Sequence, residues 1–126
     1  MKILVTDDSK MARKMVIKTL NDSTKKDLEI FEAQNGQEAL DLYKQHSPKI
    51  VFLDLTMPVM DGFVALEKIK EFDKNAKVVI ISADIQKLSM DKALALGAFN
   101  FIKKPVDTAK MQQILKKLDE LEHNGI

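Results

Sequence analysis

Lys49-Ile50-Val51-Phe52-Leu53-Asp54-Leu55-Thr56-Met57-Pro58 is the stretch on which the fold turns. Its short apolar run, Ile50 to Leu53, reads as a buried β-strand, and the run stops on an aspartate. Three other pieces behave in the same way: Thr6-Asp7-Asp8-Ser9, Ile81-Ser82-Ala83-Asp84 and Lys103-Lys104-Pro105 each follow or end a short apolar run. In a parallel α/β sheet the carboxyl ends of all strands lie on one rim, where the loops form the ligand crevice. That rim would gather the carboxylates of Asp7, Asp8 and Asp54, the hydroxyl of Ser82 and a lysine ammonium. Crowded carboxylates repel one another, so such a cluster persists only if something cationic neutralises it. A divalent metal is the obvious candidate.

Outward from this stretch two kinds of segment alternate. Lys2 to Thr6, Leu28 to Ala33, Lys49 to Leu53, Lys77 to Ile81 and Phe99 to Ile102 are short, rich in Ile, Val, Leu or Phe and bounded by polar residues, as strands are. Helix-length stretches lie between them, with apolar residues three and four apart: Met11, Met15, Val16 and Leu20 in the first, Phe63, Leu66 and Ile69 in the third, Met111, Ile114, Leu115 and Leu118 in the last. Asn35 with Glu38 predicts a capping box opening the second helix, and Ser47-Pro48 closes it. The fourth helix is expected from about Ile85 to Leu96, stopped by Gly97 in left-handed conformation. Strict β-α alternation five times over argues a mostly parallel sheet with helices on both faces.

A chain of 126 residues is expected to be one domain, residues 1–126, able to hold a core without staples. The absence of cysteine excludes a disulfide framework, a thiolate zinc site and a cysteine nucleophile, which leaves the chemistry to oxygen and nitrogen. No apolar stretch approaches a membrane span and the start does not read as a signal peptide, so a cytoplasmic protein is expected. Twenty basic against nineteen acidic residues leave a net charge of +1, no field of the kind that draws nucleic acid. Proteins or small phosphorylated molecules are the expected partners.

With these pieces in place the chain resembles a response-regulator receiver domain of two-component signalling, and in particular the stand-alone chemotaxis type, beginning at the first strand, ending after the fifth helix and carrying no output domain. The resemblance spans the whole chain. Asp-Asp or Lys-Pro alone occurs everywhere; their order and placement at strand ends make the combination specific. The resemblance implies the doubly wound (βα)5, flavodoxin-like fold, a parallel sheet of order 2-1-3-4-5 with its pocket at the switch point beside the first and third strands.

Asp54 stands where a buried strand runs out into the crevice, and a carboxylate there can attack phosphorus to form an acyl phosphate. The commonplace role for such an aspartate is capping a turn; the resemblance assigns it the phosphoacceptor position. Asp7 and Asp8 are adjacent, so their side chains diverge: one can ligate a metal directly while the other holds it through water, an arrangement suited to Mg2+. Ser9 competes with them for capping the first helix. The resemblance makes Asp8 the direct ligand, Asp7 the water-mediated one, Asp54 a further ligand and the carbonyl of Thr56 the last protein ligand. Strand alternation lets only one of Lys103 and Lys104 point inward. The family pattern selects Lys104, before a cis Pro105, to neutralise the phosphoryl oxygens. Ser82 would follow the phosphoryl group, and Thr56 and Asp84 would tune its lifetime. Phe101 falls on the family's aromatic switch position, where the chemotaxis proteins carry tyrosine. A core aromatic role competes there.

The mechanism so implied passes a phosphoryl group from a sensor histidine kinase or a small acyl phosphate to Asp54, with Mg2+ and Lys104 neutralising its oxygens; in a phosphorelay the group would pass on to a histidine phosphotransfer protein. The chain would be a self-limiting switch, catalysing only its own phosphotransfer and dephosphorylation and not turning over a metabolite as an enzyme does. Its output would be an effector protein contacting the fourth helix, fifth strand and fifth helix. Chemotaxis is the expected pathway, and a phosphorelay intermediate the alternative. Two rivals share parts of this pattern. A haloacid-dehalogenase-type phosphatase needs Asp-x-Asp and a cap segment, against Asp7-Asp8 here. A flavodoxin needs a phosphate-cradling loop after the first strand, where Asp7 and Asp8 would repel the phosphate.

Overall fold

The computed structural model describes residues 1–55, 60–83 and 87–124. Among these, strands and helices alternate in the order β1 (Lys2–Thr6), α1 (Lys10–Ser23), β2 (Glu29–Ala33), α2 (Gly36–His46), β3 (Ile50–Asp54), α3 (Gly62–Phe72), β4 (Val78–Ser82), α4 (Lys87–Ala95), β5 (Asn100–Lys103) and α5 (Thr108–Asn124). The strands form one parallel sheet, as the alternation argued, of order β2-β1-β3-β4-β5, the doubly wound flavodoxin-like topology that the resemblance implied.

Strand alternation sorts the core into two layers. Leu4, Val51, Leu53 and Ile80 pack with Leu40, Leu66, Ile69 and Ala93 of α2, α3 and α4 on one face. Ile3, Phe52, Val79 and Ile81 pack with Val16, Leu20, Met111 and Ile114 of α1 and α5 on the other. β3 and β4 are buried at every position, which is why they carry continuous apolar runs where a half-exposed strand would alternate.

β1 and β2 end where expected, at Thr6 and Ala33, while β3, β4 and β5 end one residue later than polarity suggests. Asp54 pairs with Ile81 and Ser82 with Lys103, because ladder hydrogen bonds use the backbone whatever the side chain. The catalytic candidates Asp54 and Ser82 are therefore the last residues of their strands and inherit the rigidity of the sheet.

Helix ends follow their local chemistry. Asn35 accepts from the Glu38 N–H at 2.9 Å while Glu38 returns to the neighbouring Gln34 N–H at 3.3 Å, a capping box displaced by one residue. Ser9, not Asp7 or Asp8, caps α1 by accepting from the Ala12 N–H at 3.2 Å, so capping does not account for the acidic pair. Gly97, at φ +96°, ends α4 in a Schellman motif: its N–H donates to the Leu94 carbonyl and that of Ala98 to the Ala93 carbonyl, both at 3.0 Å. The start of α4 expected near Ile85 lies outside the described residues.

Candidate functional site

The carboxyl ends of β1, β3 and β5 bring Asp7, Asp8, Asp54 and Lys104 together. One carboxylate oxygen from each aspartate lies within 4.8 Å of the others. Asp7 and Asp54 are buried while Asp8 is exposed, so the cluster opens to solvent on the Asp8 side. Lys104 Nζ donates to Asp7 Oδ2 at 2.9 Å and stands 3.6 Å from Asp54 Oδ1. Its backbone N–H donates to the Ser82 carbonyl at 2.8 Å, which ties the lysine to the end of β4. The Lys104–Pro105 peptide is cis, and Lys103 is exposed.

Each acid is held differently. Asp7 is committed on both oxygens: Oδ1 accepts from the Ser9 N–H at 2.9 Å and Oδ2 from Lys104. Asp54 feels burial first and the negative charge of Asp7 second, and together they outweigh the attraction of Lys104, so its carboxyl is pushed up to about 6. Burial pulls the Lys104 ammonium down, but its bond to Asp7 and the charges of Asp54 and Asp7 win, and the group ends above its ordinary range. Three acids against one lysine leave the pocket short of positive charge, and all the converging donors are oxygens. That donor set fits a hard divalent cation such as Mg2+, which takes one or two carboxylates and keeps several waters.

Ser82 is buried at the end of β4, beside the strand that carries Asp54. Phe101 is half-buried and, like Leu96, packs against the core layer containing Ala93. The ligand role expected of Thr56 and the tuning roles of Thr56 and Asp84 lie outside the described residues.

Two residues that the sequence reading passed over shape this rim. Gly62, at the start of α3, lies so close to β3 that a Cβ there would come within 2.5 Å of the Asp54 carbonyl oxygen and 2.7 Å of Leu55 Cα; its N–H donates to the Leu55 carbonyl at 2.9 Å. Only glycine permits that approach, and the contact braces the backbone that carries Asp54. A glycine following Asp61, the α3 cap, was the available signal. The second is Arg13, buried behind Asp7.

The family described as "Response regulator receiver domain" matches residues 3–116. Among proteins with similar sequences, "Chemotaxis protein CheY" of Treponema pallidum is 47% identical over 113 residues, covering 87% of this chain and 76% of that protein. The protein of the same name in Bacillus subtilis is 38% identical over 117 residues, covering 92% and 95%. Among solved structures, a chain of the CheX-CheY-BeF3-Mg2+ complex from Borrelia burgdorferi superposes with a TM-score of 0.84 at 38% identity, covering 94% of this chain and 88% of that one. Sheet order, the acidic rim and these matches agree, and the chain belongs to the response-regulator receiver domain family.

Proposed function

We propose that this receiver domain is a phosphorylation-activated switch in which Asp54 accepts a phosphoryl group from a histidine kinase, a histidine phosphotransfer protein or a small acyl phosphate. The observation that carries this reading is the convergence of three carboxylates and the Lys104 ammonium at the ends of β1, β3 and β5. An Asp54 oxygen forms a bond to phosphorus as the bond to the donor's leaving group breaks, in line with it. Lys104 needs little movement to leave Asp7 for the incoming oxygens, because it already stands between Asp7 and Asp54. Asp7, Asp8 and Asp54 would hold Mg2+, which supplies the charge that neutralises the phosphoryl oxygens. Water then attacks the acyl phosphate on Asp54, so the chain resets itself and turns over no metabolite.

The similarity to chemotaxis proteins supports a role in control of motility, in the cytoplasm. Among the described residues no helix is long and apolar enough to cross a membrane. The output surface is the face formed by α4, β5 and α5, contacted by an effector protein. Ala93 anchors α4 in the core while Leu94 is 52% exposed, so α4 is loosely specified and suited to move. Phe101, without a hydroxyl, responds through packing alone.

Intact-mass measurement after treatment with acetyl phosphate and Mg2+ tests the chemistry: one added phosphoryl group supports it and an unchanged mass abandons it. The division of labour among the metal acids is tested by calorimetric titration with Mg2+. Asp7 has both oxygens bonded and Asp8 is exposed at the mouth. Asp8→Ala is therefore expected to weaken Mg2+ binding more than Asp7→Ala. The opposite order would exchange their direct and water-mediated roles.

A further inference from the structure

Arg13 is buried to 7% exposure although it sits on the solvent-accessible first helix of a small domain. Its side chain leans back toward the start of α1, as helical side chains do. There Nη1 donates to the Asp7 carbonyl oxygen at 2.7 Å and Nε to Glu32 Oε1 on β2 at 2.9 Å. The Asp7 N–H donates in turn to the Ala33 carbonyl at 3.1 Å. With both side-chain oxygens bonded as well, Asp7 is held at every polar atom it has.

The carbonyl that Arg13 grips belongs to the planar unit joining Asp7 to Asp8, and the orientation of that plane sets the direction in which Asp8 leaves the strand. A guanidinium bonded to the backbone of one of the pocket acids would by itself oppose a metal cation there. Glu32 counters that charge and fixes the planar fork so that its other edge faces the Asp7 carbonyl. We propose that Arg13 and Glu32 form a positioning pair that orients the Asp7–Asp8 peptide for Mg2+ binding, Arg13 by hydrogen bonding and Glu32 by holding and neutralising it. This inference rests on the Mg2+-dependent reading of the pocket given above.

Its test turns on a sign. Removing a cation from the neighbourhood of an acidic cluster strengthens metal binding if the residue acts through charge alone. It leaves binding unchanged if the residue only stabilises the fold. Arg13→Gln is expected to weaken Mg2+ binding, by about tenfold, the low end of what loss of a ligand-orienting group costs a metal site. Glu32→Gln is expected to weaken it as well, and the double variant no further than Arg13→Gln, because the two act as one unit. The measurements are calorimetric titration of each chain with MgCl2 and its thermal unfolding without metal. Should Arg13→Gln fail to fold, Arg13→Lys is decisive in its place: it keeps the charge but not the fork, and weaker binding supports the pair. An unaltered chain that binds Mg2+ together with a folded Arg13 variant that binds it equally or more tightly overturns the positioning role. No binding by the unaltered chain brings down the Mg2+ reading of the pocket and this inference with it.

Discussion

Asp54→Ala is expected to gain no phosphoryl group under conditions in which acetyl phosphate and Mg2+ convert the unaltered chain. The effect is all or none because the other acids are poorly placed to substitute. Asp7 is bonded on both oxygens, to the Ser9 N–H and to Lys104, and using either for attack would break a bond it already makes in a half-buried site. Asp8 is exposed, where water competes for its oxygens and no lysine lies within ion-pair distance among the described residues. Asp54 alone of the three combines a rigid strand end, burial and an ammonium 3.6 Å away. Intact mass after acetyl phosphate treatment reads the outcome directly. Full conversion of Asp54→Ala would move the phosphoacceptor elsewhere, while slow and partial labelling would point to Asp8 as a substitute acid.

Most of this pocket was legible because its residues announce themselves by breaking an apolar run. Asp54 after Ile50 to Leu53 and Asp7 after Ile3 to Val5 are polar where the strand pattern is still buried, and nothing in packing requires them. Strand alternation allowed only one of Lys103 and Lys104 to point inward and the family resemblance selected Lys104; Lys103 is the exposed one. The ends of β3, β4 and β5 were displaced by a residue because a polarity pattern ends where apolar side chains end, whereas the ladder continues through Asp54, Ser82 and Lys103. Arg13 was not legible. It stands among Lys10, Lys14 and Lys18 on one amphipathic helix, where a basic residue reads as part of a solvated face, and its burial depends on Glu32, nineteen positions away on another strand. Gly62 was missed for a related reason: a glycine at a helix start reads as local backbone chemistry, and its need for a missing Cβ appears only when β3 is laid against it.

These two residues and the acids they brace share a cost. A receiver pocket must hold like charges together before any phosphoryl group or metal arrives, so part of the fold's stability is given up at the site. Lys104 recovers some of it through Asp7, and Arg13 and Glu32 keep their own charges balanced so as not to add to the strain. Asp54 is left as the carboxylate whose ionisation the folded state resists.

That resistance sets a stability difference with a defined pH window. The Asp54 carboxyl titrates at about 6 in the folded chain against an ordinary 3.8, so the folded state holds the proton more tightly than the unfolded one. Between those two values stability falls as pH rises, because the native state binds more protons. Above the window the full penalty is present, roughly 2–3 kcal/mol for a shift of about two units, at 1.36 kcal/mol each. Asp54→Asn keeps the shape and removes the ionisation. It is therefore expected to be more stable than the unaltered chain by about 2–3 kcal/mol at pH 8 without metal, a rise in Tm of roughly 6–12 °C. Near pH 3 the difference should vanish, since Asp54 is then protonated in both states. Comparing the two chains at each pH cancels the titration of groups that do not interact with Asp54. Equal Tm values at pH 8 would mean that Lys104 fully compensates the buried charge and that the pocket carries no stored repulsion for a cation to relieve.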